Sequence, residues 1–200
     1  MASLVLNGNT SGSVTISSPA VSGTTTLTLP TTSGTVLTSA NIGSNLPTGS
    51  VLQVASTTKT DTFSTGTSAA WVDITGMSVS ITPTSASNKI LVIFSGNAAG
   101  TTGTSGWLAQ IVRNSTAICV GSSSGSRTPA STGGATPDSN WPLPTSINYL
   151  DSPATTSSVT YKIQGRVGAG TFYFNRSQAD TDASGIIRAA STITVMEIKG

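Results

Sequence analysis

Short runs in which every second residue is apolar recur along the chain, and no run supports a long helix. In "MSVSITP", Met77, Val79 and Ile81 fall on one side of an extended backbone and Ser78, Ser80 and Thr82 on the other. The closing run "STITVMEIKG" puts Ile193, Val195 and Glu197 on one face and Thr192, Thr194, Met196 and Ile198 on the other. "SVLQVAS", "DTFSTG", "AWVDITG", "GWLAQIVRN", "AICVG", "SVTYKIQG" and "TFYFNR" also read as strands. "ILVIF" (Ile90–Phe94) is continuously apolar, which predicts a strand buried on both faces. "DASGIIRAAS" predicts at most one helical turn. Many short strands, with turn signals at intervals of roughly ten residues, predict an all-β fold of sandwich or jelly-roll type.

The opening segment has its own period. Ser-Gly recurs at Ser11, Ser22 and Ser33, each time before a strand-like run: "SVTIS", "TTTLTLP" and "TVLTS". Each run offers only two or three large apolar side chains, among Leu4, Leu6, Val14, Ile16, Leu27, Leu29, Val36 and Leu37. A thin sheet of that kind is marginal in water alone. The segment is therefore expected to pack on the rest of the chain or to wrap with other copies as an obligate oligomer. "NIGSNLPTGS" (Asn41–Ser50) reads as a linker, so the expected division is an extended arm over 1–48 and a β-sandwich over 49–200.

Composition sharpens this picture. Charged residues make up 8% of the 200, and the first is Lys59; roughly 25% is ordinary. Uncharged strand edges pair with neighbours unless something covers them. The net charge of +2 comes from scattered residues, which gives no basic patch for nucleic acid. No stretch approaches the about 20 apolar residues of a membrane helix, and "MASLVLNGNTSG" lacks the features of a signal peptide. A soluble product made in the cytoplasm is expected.

With no histidine, neither a Ser-His-Asp nor a Cys-His nucleophile can form, nor a His/Cys zinc site. Seven acids remain, and a glycosidase would need two of them facing across a cleft. "DTDASG" begins like a calcium loop, with Asp180 and Asp182 as ligands, but the twelfth position is Ser191 rather than Glu. A polar loop is the favoured reading, with no cofactor and no metal. "GRVGAG" reads as a hairpin turn, and Cys119 as a small buried residue. The sequons at Asn9, Asn114 and Asn175 arise readily in a chain so rich in Ser and Thr.

Residues Gly121–Ser146 break the strand rhythm and read as one long loop, of the kind that is usually functional. Within it, Arg127, Asp138, Asn140 and Trp141 are the candidates for contact with a receptor or partner; the alternative role for Trp141 is to pack the loop down. Trp71 and Trp107 lie in strand-like runs and are expected in the core.

The opening stretch "LVLNGNTSGSVTISSPAVSGTTTLTLPTTSGTVLTSA" resembles the N-terminal repeats of bacteriophage fibre-like structural proteins, especially those of marine and cyanobacterial phages. "AWVDITGMSVSITPTSASNKILVIFSGNAAG" and "TFYFNRSQADTDASGIIRAASTITVMEIKG" resemble the distal domain of the same group. The resemblance implies an intertwined homotrimer on the virion surface, docked through its arm on capsid or tail proteins. It implies a non-enzymatic protein that displays a β-sandwich to a host-surface glycan or protein, or stabilises the capsid. The repeats begin almost at Met1, which favours a short fibre or a capsid decoration. The other readings are a carbohydrate-active depolymerase and a cellular lectin-like adhesion module.

Overall fold

Alternation in the sequence becomes alternation in burial. Along β11 (Val159–Val167) every second residue, from Val159 to Val167, is buried, and β13 (Ser191–Ile198) repeats the pattern. The computed structural model describes residues 42–200 except 68, 104 and 105. Of the first 41 it describes residues 3–7, 10–17, 20, 21, 23, 24, 26, 28, 31–34 and 38. Two compact units emerge, Met1–Asn41 and Ile42–Gly200. The second thus begins at Ile42, ahead of the expected residue 49, because a single turn, α1 (Ile42–Asn45), precedes the strands and the Nζ of Lys199 donates to the Leu46 carbonyl at 2.6 Å.

In the first unit, β1 (Ser3–Asn7) and β2 (Ser13–Ser17) pair antiparallel, with Leu4 opposite Ile16 and Leu6 opposite Val14. Leu6, Val14 and Ile16 are each more than half exposed. Leu27, Leu29, Val36 and Leu37 and the side chain of Leu4 lie outside the described residues, as does most of the second and third expected strands.

The second unit is all-β, with two sheets around one core. The first sheet is curved and half-barrel-like. Its spine is β6 (Lys89–Gly100). One edge of β6 carries β10 (Leu143–Asp151); the other carries β13 and then, in line with it, β12 (Phe172–Phe174). β3 (Val51–Lys59) extends β13, and β4 (Phe63–Thr65) extends β12. Asn175 holds the break between these paired segments. Buried with φ of 59°, it donates from Nδ2 to the carbonyls of Lys59 (2.9 Å) and Asp61 (3.1 Å) and accepts from the Ser191 hydroxyl at 2.5 Å. Asn tolerates that left-handed backbone better than most residues.

The second sheet runs β5 (Val72–Ile81), β11, β7 (Trp107–Arg113), then β8 (Thr116–Ile118) and β9 (Thr132–Gly134) in line along the free edge of β7. "AWVDITG" and "MSVSITP", expected as separate strands, are one strand with an irregularity opposite Ile163. Gly76 supplies the φ of 82° it requires, and the extra residues let Ile74 and Met77 both face inward.

The core joins the sheets: Ile90, Val92, Phe94, Ile193, Val195, Phe172 and Phe174 from the first, and Met77, Val79, Trp107, Ile111, Tyr161 and Ile163 from the second. Gly165 faces inward on β11 because the Phe172 ring occupies the space of a side chain; a Cβ there would lie 2.6 Å from it.

Several expectations are corrected. "ILVIF" is buried on one face only: Ile90, Val92 and Phe94 point to the core, while Leu91 and Ile93 are half-buried on the outer side. The Gly121–Ser146 loop contains β9 and the start of β10, because the backbone of β7 offers an open edge to the first and that of β6 to the second. "GRVGAG" does not close a hairpin; it carries the chain from β11 in one sheet to β12 in the other. Cys119 has φ of 54°, which ends β8 and breaks the alternation, leaving Cys119 half-buried and Val120 exposed. Trp107 is buried, but Trp71 is half-buried ahead of β5, with the Arg166 guanidinium 6.0 Å from its ring.

Candidate functional site

Strand register sorts the connections into two poles. At the near pole lie residues 42–50, the 82–88 and 152–158 connections and the C-terminal Lys199 and Gly200, since Lys89 pairs with Ile198 and Ile90 with Asp151. Gly49 donates to the Lys199 carbonyl at 2.8 Å and Lys199 to that of Ser50 at 2.9 Å, so the chain enters and leaves the domain side by side. At the far pole lie 101–103 with Gly106, 135–142 and 168–171, reached by 175–190.

These far segments are rich in Gly, Ser, Thr and Pro, which favours turns over strands. They brace one another. Gly100 donates to the hydroxyl of buried Thr136 at 2.6 Å, Thr171 to the Thr101 hydroxyl at 2.9 Å, Thr102 to the Gln178 side chain at 2.7 Å and Ala179 to the Ser139 carbonyl at 2.9 Å. Four loops from both sheets thus form one platform.

Trp141, Asp138 and Asn140 lie on the platform segment 135–142. Trp141 is 49% exposed while Pro142 beside it is buried. Asp138 accepts a 2.6 Å bond from the Asn140 backbone, a local turn that holds the approach to Trp141. Arg127 is placed elsewhere, in the 119–131 loop beside β8 and β9. It closes a tight turn on Ser124, donating from Nη1 to the Ser124 hydroxyl at 2.9 Å. The four predicted contact residues therefore do not form one group.

Asp180 and Asp182 line a cleft of about 470 Å³ with Thr181, Ala183, Ile186 and Arg188. Arg188 grips Asp180 in two bonds of 3.0 and 2.7 Å, and Arg176 stands 3.6 Å away. The Arg188 hydrogen bond, with both guanidinium charges, holds the Asp180 carboxyl below its ordinary value against the opposing effect of burial. Two guanidinium groups thus occupy the carboxylate that a calcium ion would use. Among the described residues no three His, Cys, Asp or Glu side chains gather.

Sequence reasoning missed Arg176, Arg188 and Tyr173. Arg176 lies over the Tyr173 ring at 5.1 Å and donates to the Ser177 and Gln178 carbonyls, which stiffens the exit from β12. No spacing signal in the sequence marks these residues, because their partners are set by a loop crossing. The platform offers hydroxyls, backbone amides, a paired acid–base cluster and one half-exposed indole.

The chain matches no known protein-family model, and no curated protein matches it in sequence.

Proposed function

We propose that this chain is a bacteriophage virion surface protein that binds and displays without turnover: a short trimeric fibre or capsid decoration. Its opening segment docks it on capsid or tail, and a jelly-roll-like β-sandwich presents the far-pole platform to the host surface. One observation carries the reading. Both ends of the Ile42–Gly200 unit are hydrogen-bonded together at the near pole, which leaves the braced loop pole free of chain ends. A head held at one pole and presented at the other is the arrangement that adhesion requires. An exposed row of Leu6, Val14 and Ile16 on the β1–β2 pair suits a segment that gains its burial from other chains.

Immunogold labelling of intact phage particles with antibody against residues 51–200 tests it. Gold on the capsid assigns a decoration or head fibre; gold at the tail assigns host recognition. Particles that never bind the antibody overturn the virion assignment.

A further inference from the structure

Over Ile90–Phe94 the central strand β6 is apolar on both sides, yet only one side meets the core. On the outer side, Val54 of β3, Met196 of β13, Leu91 of β6 and Leu150 of β10 stand in register across four strands. Val51 and Ile198 form the next row toward the near pole, and Ile93 lies on the other side of the apolar row. Val51, Val54 and Leu150 are 50%, 56% and 46% exposed. Toward the far pole the same face turns to hydroxyls that satisfy one another, Ser56 with Thr194 at 2.8 Å and Thr58 with Thr192 at 3.3 Å. Across these four strands Lys89 is the single outward charge, at the rim.

The outer face of the second sheet is built oppositely. Lys162 and Gln164 both donate to Asp73 at 2.7 Å, Gln110 donates to Gln164 at 2.8 Å, and Ser80 bonds Thr160 at 2.7 Å. That face is suited to water. A contiguous apolar face on the other side marks an interaction surface.

We propose that copies of this chain pack against one another through the outer face of the six-stranded sheet. This deepens the trimer reading above and rests on it. The face carries no acid and only a rim lysine, so it selects no charged partner; three copies of the apolar row can converge on a three-fold axis without leaving a charge buried. Its size argues the same way. Four strands about 4.8 Å apart, with eight residues rising about 3.3 Å each, span roughly 500 Å². A free-standing complex buries about 800 Å² per partner. The face is therefore too small to capture a foreign protein unaided, but sufficient between copies already tethered, where the effective concentration reaches the millimolar range.

The test uses the full chain with p-benzoylphenylalanine in place of Val54, a control with the probe in place of Ser80, and native mass spectrometry of both. The expected result is a trimer in which the Val54 probe cross-links to β6, β10 or β13 of another chain while the Ser80 probe does not. Val54→Lys should lower the trimer fraction with an unchanged far-ultraviolet spectrum. A trimer whose Val54 probe reacts only within its own chain or with residues 1–41 overturns the sheet interface and leaves the trimer standing. A monomer up to the solubility limit overturns both.

Discussion

The Asn88 side-chain amide donates a 2.6 Å hydrogen bond to Oε1 of Glu197, a carboxylate with no exposed surface. Thr84 adds its backbone N–H at 2.6 Å and its hydroxyl at 2.8 Å, and Gln53 donates to Oε2 at 2.6 Å. No lysine or arginine forms an ion pair with Glu197 among the described residues. Burial pushes the Glu197 carboxyl up, and the bonds from Asn88, Gln53 and Thr84 together outweigh it and hold the group below its ordinary 4.5. Such a group contributes stability above its unfolded value and loses that contribution as pH falls through the lower folded value. Glu197→Gln places an amide N–H₂ among donors and should cost about 1–3 kcal/mol at pH 7. Urea unfolding should show that deficit narrowing below the ordinary glutamate range; a deficit independent of pH would reject the role assigned to the charge.

Asp151 joins the two sheets. Arg113 Nη1 donates to both its oxygens at 2.8 and 2.9 Å, and the Tyr161 hydroxyl donates to Oδ2 at 2.7 Å. Burial, then the Asp151 bond, pushes the Tyr161 phenol far above its ordinary value, so it remains a donor at every working pH. Asp151→Asn leaves the guanidinium without its counter-charge and should destabilise by about 3 kcal/mol. Tyr161→Phe should lose about 1.5–3 kcal/mol, the range for a bond to a charged group. A double-mutant cycle by thermal denaturation should show the two effects to be non-additive; simple additivity would mean that the three residues do not act as one cluster.

Phe172 fills the space over Gly165. Gly165→Ala should overpack the core and cost about 1–3 kcal/mol, read as a lower urea midpoint with an unchanged slope. Combining it with Phe172→Leu should recover part of the loss. Failure of that rescue would locate the strain in the backbone instead.

Trp141 is half-exposed on a braced platform. If the protein is the adhesin proposed above, Trp141→Ala should reduce adsorption to host cells without lowering the protein's melting temperature. Equal adsorption would remove Trp141 from the binding surface, and a lowered melting temperature would assign it to packing.

The inward face of β13 is legible in the sequence alone: Ile193, Val195 and Glu197 alternate with outward Thr192, Thr194 and Met196. So are the all-β class, the burial of Trp107 and the polar loop at Asp180–Gly185. These follow from a two-residue period, which is a local property of an extended backbone. The period reports which side of a strand a residue takes, but not what lies beside it. Glu197 meets Gln53, Thr84 and Asn88 from more than a hundred residues away, and Asn175 meets Lys59 and Ser191 across a strand break. The joining of "AWVDITG" to "MSVSITP", the place of β9 on the edge of β7, and the outward turn of Leu91 and Ile93 were likewise decided by sheet register. Local pattern set which face most of the strands bury; only tertiary pairing decided their neighbours and the short edge strand β9, because hydrogen-bond registry between distant segments leaves no periodic trace in the chain.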